Sequence, residues 1–164
     1  MTPVFSSELL LALLREGAAS PVERCGILRG EGARIVRADA TANVAPDPAR
    51  HFEIDPAALL AAHRDARGGG AGIAGWYHTH PGGRPDPSPT DAAQAAADGM
   101  LWLIVGHRTA RLWRAVADGA VHGRFDPVAF TVELPNRVEK KCLAVHMEDG
   151  ERTVSFRPSR IAPL

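Results

Sequence analysis

A chain of 164 residues is long enough for one domain with a substantial core and too short for two of ordinary size. Its 45% hydrophobic and 23% charged residues exclude a disordered chain, and 19 basic against 19 acidic residues exclude an electrostatic preference for nucleic acid or an anionic membrane. Its two cysteines, Cys25 and Cys142, are far apart and belong to no C-x-x-C, which excludes a disulfide framework.

In chain order, the first apolar run lacks a basic leader and ends in Arg15–Glu16. It reads as an amphipathic helix capped by Ser6 or Ser7, with Leu9, Leu10, Leu13 and Leu14 on one face, and stopped by Gly17 and Ser20–Pro21. With no signal peptide and no run near the ~20 apolar residues of a membrane span, the expected location is the cytoplasm. "RCGILRG" (24–30) and "ARIVRADATANV" (33–44) read as a hairpin turning at Gly30–Glu31–Gly32, and "APDPAR" (45–50) as a loop. Asp55–Pro56 is an N-cap with proline at the first helical position and opens a helix over 56–67. After a glycine connection (68–72) come a strand "IAGWYHTH" (73–80), a loop with four prolines (81–89), and an alanine-rich helix, "TDAAQAAADGM", ending at Gly99. "LWLIVG" (101–106), "ARLWRAV" (110–116) and "AVHGRF" (120–125) read as three further strands.

Beyond Phe130 the texture changes. "KCLAVHM" and "ERTVSFRP" read as a hairpin turning at Asp149–Gly150, either extending the main sheet or forming a separate cap. The expected division is a domain over 1–130 and a C-terminal extension over 131–164 without an assigned role. Helices interspersed among strands predict an α/β or α+β domain on a mixed sheet.

The chemistry concentrates in "GWYHTHPGGRPDPSPTD" (75–91). Side chains alternate along a strand, so His78 and His80 share one face and Thr79 takes the other. Catalytic zinc takes three protein ligands, often imidazole and carboxylate, and leaves the fourth position open. Asp91 at the start of the next helix is a candidate third ligand, on a return path stiffened by Pro81, Pro85, Pro87 and Pro89. Ser88 stands three residues before Asp91, where it either caps the helix or faces the metal. Taken alone, H-x-H fits polar residues on a half-buried strand equally well, and Ser-Pro-Thr-Asp fits an ordinary helix start.

Together, His78-Thr79-His80-Pro81, the ten-residue gap from His80 to Asp91, and Ser88-Pro-Thr-Asp91 resemble the JAMM motif of the MPN-plus metallopeptidases, most closely their short bacterial branch. "PVERCGILRG" (21–30) is similar to the segment of that family that carries its glutamate, here Glu23. Thr79 stands where serine is more usual, and residues 131–164 carry no family signal. The resemblance implies a curled mixed β-sheet flanked by helices, related to the cytidine-deaminase architecture. It implies one Zn2+ held by His78, His80 and Asp91 with a water, Glu23 as general base, and Ser88 as hydrogen-bond donor to the oxyanion. The implied activity is hydrolysis of the amide after the C-terminal Gly-Gly of a ubiquitin-like or sulfur-carrier protein, whose thin tail would bind extended by strand addition beside the site.

The alternatives are a non-haem iron enzyme on the same two-histidine, one-carboxylate set and an MPN-type scaffold without catalysis. A zinc deaminase is disfavoured because Pro-Cys-x-x-Cys is missing. Cys25 shares a strand face with Glu23 and reads as a small buried residue. His51, His63, His107, His122 and His146 lack ligand spacing, and Trp76, Trp102 and Trp113 read as core or groove residues.

Overall fold

The computed structural model describes residues 1–134, 143–148 and 151–156. Cys142 and the expected Asp149–Gly150 turn lie outside the described residues. The elements are β1 (Val4–Ser6), α1 (Ser7–Ala19), β2 (Cys25–Glu31), β3 (Arg34–Thr41), α2 (Pro56–Arg67), β4 (Gly72–Thr79), α3 (Pro89–Gln94), β5 (Leu101–Val105), β6 (Thr109–Gly119), β7 (Gly123–Val128), β8 (Thr131–Glu133), β9 (Leu143–Glu148) and β10 (Glu151–Phe156). The strands form one mixed sheet in the order β8-β1-β3-β2-β4-β5-β6-β10-β9, with β7 also pairing β6. The pairs β1–β3, β1–β8 and β4–β5 are parallel and the others antiparallel.

The period-two pattern of β4 divides the core. Tyr77 joins Leu10, Leu14, Leu28, Leu103 and Val105 on the face that α1 covers. On the opposite face, Cys25, Phe52, Trp102, Ile104 and Trp113 form a second cluster against which Trp76 packs. The histidines of the H-x-H therefore belong to the second face, with β2 and β5 on either side of their strand.

Both caps form as expected. Ser6 Oγ accepts the Leu9 N–H at 3.1 Å, and Asp55 Oδ1 accepts the Ala57 N–H at 2.9 Å. Gly17, however, does not stop α1. It is buried inside the helix, where a Cβ would stand 2.9 Å from Val105 Cγ1 and 3.3 Å from the Gly106 carbonyl, so it permits close packing on β5. The β2–β3 turn lies later than expected, at Gly32–Ala33. Gly32 supplies φ +60 there, and a register shift between Arg29 and Gly30 takes up the offset.

The alanine-rich helix ends at Gln94 instead of Gly99. Ala95 is extended and buried in the second cluster, so tertiary packing overrides alanine's helix propensity. In "AVHGRF" the first residues form a turn around His122 (φ 51), and the strand starts at Gly123. Two short strands have no counterpart in the sequence reading. β8 pairs β1, and Phe130 packs edge-on against Phe5 with ring centroids 5.3 Å apart. Beyond β8, β10 pairs β6 through Val154↔Ala110 and Ser155↔Thr109, so the late hairpin extends the main sheet.

Candidate metal centre

β4 delivers the two histidines. His78 is fully buried near the strand's end, and the His80 N–H, just past it, donates to the Val105 carbonyl at 2.8 Å. The return path is pinned at several points. Trp113 Nε1 donates to the Pro85 carbonyl at 3.0 Å, Arg111 pairs with Asp86 at 2.5 Å, and His122 Nε2 donates to the Pro87 carbonyl at 3.1 Å. Proline residues limit the loop's own freedom, and these bonds fix its course over β6.

That course ends in a capping box. Ser88 Oγ accepts the Asp91 N–H at 3.1 Å, while Ser88 N–H and Oγ each donate to Asp91 Oδ2 at 2.7 Å. The box orients the Asp91 carboxylate toward the histidines. His78 Nε2 stands 3.3 Å from Asp91 Oδ1, His80 Nε2 stands 3.4 Å from Oδ2, and the two imidazole Nε2 atoms are 2.9 Å apart. Tetrahedral zinc with bonds of about 2.0–2.1 Å has ligand–ligand edges of roughly 3.3 Å, which the two histidine–aspartate distances match, while the histidine pair stands closer. The donor chemistry fits as well. His80 Nδ1 donates to the Arg84 carbonyl at 3.0 Å, which leaves Nε2, the nitrogen facing Asp91, as the atom that would ligate once its proton is displaced. Among the described residues, this trio is the group that could hold a metal ion.

The charges adjust accordingly. Burial holds His78 below its ordinary pKa, opposed by its bond to Asp91, so its imidazole is neutral and able to ligate. For His80, burial acts downward too, but the bond to Asp91 and that carboxylate's charge prevail and raise it. Burial disfavours the Asp91 anion, yet hydrogen bonds from both imidazoles and Ser88 hold its carboxyl well below the usual carboxylate range. A cation that binds here displaces a proton, so its affinity falls with acidity.

Glu23 enters from the segment before β2. It is 6% exposed, and its Oε2 is buried without a hydrogen-bond partner. Burial pushes its carboxyl up to about 7, the charge of His80 lowers it and that of Asp91 raises it, so Glu23 lies within electrostatic reach of the trio. Cys25 is buried, and its thiol faces Thr41 Oγ1 at 3.5 Å rather than the trio. The structure thus brings together His78, His80, Asp91 and Ser88, with Glu23 within electrostatic reach of them.

Two contributors escaped the sequence reading. Phe52 stacks on the His78 ring with centroids 4.3 Å apart. It also lines a cavity of about 390 Å³ with Ile54, Leu59, Trp76, Gln94 and Trp102. Asn43 binds the backbone of Glu23 through its side chain. The one sequence signal for Phe52 is an aromatic three residues before the Asp55 cap, and the Glu23 partner of Asn43 is too distant in sequence to announce it.

The profile described as prokaryotic homologs of the JAB domain matches residues 6–116. A desampylase of Haloferax volcanii is 38% identical over 111 residues, spanning 63% of this chain and 80% of the relative. A desampylase of Pyrococcus furiosus is 30% identical over 107 residues, spanning 65% and 76%. Among solved structures, a protein from Desulfitobacterium hafniense superposes with a TM-score of 0.65 at 23% identity, over 84% of this chain and 96% of that one. A JAB1/MPN domain protein from Archaeoglobus fulgidus gives 0.54 at 17% identity, over 80% and 98%.

Proposed function

The chain belongs to the prokaryotic JAB-domain family, and on that basis we propose that it is a zinc-dependent isopeptidase hydrolysing the amide after the C-terminal Gly-Gly of a ubiquitin-like or sulfur-carrier protein. One observation carries this reading. Three convergent ligand atoms lie within electrostatic reach of a buried glutamate that arrives from a different part of the chain and has an unpartnered oxygen. The relatives named desampylase favour the form in which the carrier is released from a conjugate.

In this reading His78, His80 and Asp91 hold the ion and Glu23 performs the proton transfers. Zinc contributes a Lewis acid that brings water's pKa from 15.7 to about 7 and polarises the amide carbonyl. Glu23 accepts the proton of the attacking water and passes it to the leaving amine. A carboxyl tuned upward by burial suits both steps, being basic enough to accept and acidic enough to release. Ser88 Oγ–H is the hydrogen-bond donor to the developing oxyanion, moving from Asp91 Oδ2 to the substrate.

In this reading the tail binds away from the edges of β4. β4 is paired along both edges, so strand addition there is closed. Around the bridge Asn43↔Ile54, the Glu53 carbonyl accepts the Val44 N–H and the Glu53 N–H donates to the Asn43 side chain, so strand alternation would turn the backbone groups of Phe52 and Ile54 to the opposite edge. A tail paired with that edge runs past the aromatic cavity toward His78. Cys25, a free thiol, accords with a cytoplasmic setting.

The test combines metal analysis of protein purified without added metal with cleavage of a β-grasp carrier fused through Gly-Gly to a reporter. One zinc per chain and cleavage after the second glycine are expected. Iron with dioxygen uptake overturns the reading in favour of an oxygenase, and zinc without cleavage of any such fusion leaves a scaffold.

A further inference from the structure

We infer that Asn43 is a positioning residue for Glu23, joining the segment that carries the base to the loop that forms the aromatic wall of the metal centre. This rests on the peptidase reading. The Glu23 carboxylate has a buried oxygen without a partner, so its own hydrogen bonds do not hold it. Its place depends on its backbone. The Glu23 N–H donates to the Pro48 carbonyl at 2.7 Å, and its carbonyl accepts from Asn43 Nδ2 at 2.9 Å. Both bonds come from the loop that follows β3.

Asn43 is more than a single tether. Its Nδ2 also donates to the His51 carbonyl at 2.9 Å, and its Oδ1 accepts from Ala45 N–H at 3.1 Å and Glu53 N–H at 3.0 Å. An asparagine side chain offers two donor hydrogens and two acceptor lone pairs, and all four are used. The orientation is unambiguous: rotating the amide would set its oxygen against two carbonyls and its NH2 against two N–H groups. His51 and Glu53 flank Phe52, whose ring stacks on His78. One amide therefore sets the base and the wall of the ligand histidine relative to each other. Misplacement of a reacting group by about 1 Å costs about 100-fold in rate, which is the scale expected here.

Asn43→Asp separates the two halves of the amide. It keeps acceptors for Ala45 and Glu53 and replaces the donor to Glu23 and His51 with an oxygen that repels both carbonyls. The expected result with a Gly-Gly carrier fusion is a fall in kcat of about 100-fold, with KM and zinc content within about twofold of wild type. In the Glu23→Ala background the same substitution adds no further loss, because Asn43 acts through Glu23. In metal-free protein, amide hydrogen exchange at Glu23 and Arg24 accelerates about tenfold while β4 and β5 keep their protection. Asn43→Ser, which caps the same turn more weakly but cannot reach Glu23, repeats the pattern if the aspartate variant does not fold. A kcat that falls only in proportion to lost zinc, or exchange at Glu23 and Arg24 equal to wild type, overturns the assignment. A wild type that binds zinc but cleaves no carrier overturns the peptidase reading instead, and the exchange measurement still decides whether Asn43 holds Glu23 in place.

Discussion

Thr79 points away from the histidines on either side of it and binds Arg24 twice. Its Oγ1 accepts the Arg24 N–H at 2.9 Å, and its own N–H donates to the Arg24 carbonyl at 2.9 Å. The middle residue of the H-x-H thus couples the ligand strand to the residue after Glu23. A hydroxyl is required there because Thr79 is fully buried, and an Arg24 N–H without an acceptor would pay the full cost of desolvation. Thr79→Val, which preserves shape, is expected to lower stability by ~1–3 kcal/mol. Thr79→Ser, which keeps the oxygen, should cost less than half of that. Chemical denaturation of the metal-free proteins checks the order.

Glu23 predicts opposite effects on activity and on stability. Its raised pKa makes it protonated in the folded state at pH values where the unfolded chain has already lost the proton. Between the ordinary value of 4.5 and about 7 the native state binds more protons, so metal-free stability falls as pH rises through that window. At pH 8 the ionised carboxylate costs as much as about 3 kcal/mol, and metal-free Glu23→Gln should be the more stable protein there, with the difference vanishing near pH 4. Activity runs the other way: it declines on acidification as the base takes up a proton, and Glu23→Gln is inactive at every pH. Thermal melts and pH–rate profiles of the two proteins test both halves. A metal-free glutamine variant that is no more stable than wild type at pH 8 would refute the burial argument.

The ligand variants should separate affinity from folding. Zinc at ~1,000 times its Kd stabilises the wild type by about 4 kcal/mol, and His80→Ala should lose that increment while its metal-free melt changes little. Asp91→Asn retains an oxygen for the cap on α3 and loses the carboxylate charge, so it too should fold without taking up zinc. Asp91→Ala loses both and should melt lowest of the three. Calorimetric melts with and without zinc give the ranking.

Ser88 has two assignments with different magnitudes. Loss of the helix cap in Ser88→Ala costs ~1 kcal/mol of stability, whereas loss of an oxyanion donor costs 100- to 1,000-fold in kcat, about 3–4 kcal/mol. A variant that melts slightly earlier yet hydrolyses the fusion at near wild-type rates would reduce Ser88 to a cap.

Much of this centre could be read from sequence because its signals are local. The alternation of His78 and His80 needs only the period of a strand, and Ser88 and Asp91 are three apart on one helical turn. The caps at Ser6 and Asp55 were legible for the same reason. What stayed hidden depends on residues far apart in the chain. β1 is three residues long, too short for a periodic signal, and exists because β3 and β8 flank it. Residues Ala95–Gly99 look helical by propensity, and only the buried contact of Ala95 decides otherwise. Asn43, within an Ala-Asn-Val string, looks like a polar residue near the end of the expected 33–44 strand until residues 20 and 8 positions away are brought to its amide.

The three ligand atoms come from β4 and the connection to its parallel neighbour, whereas Glu23 comes from the segment before β2. In the proposed reading, ion capture and bond cleavage are thus written in separate stretches of the gene. A descendant that replaced Glu23 alone would keep its sheet, its ion and its tail-binding edge, and would work as a receptor for the carrier it once released. On that reading, one substitution would separate a processing enzyme from a reader of the same modifier.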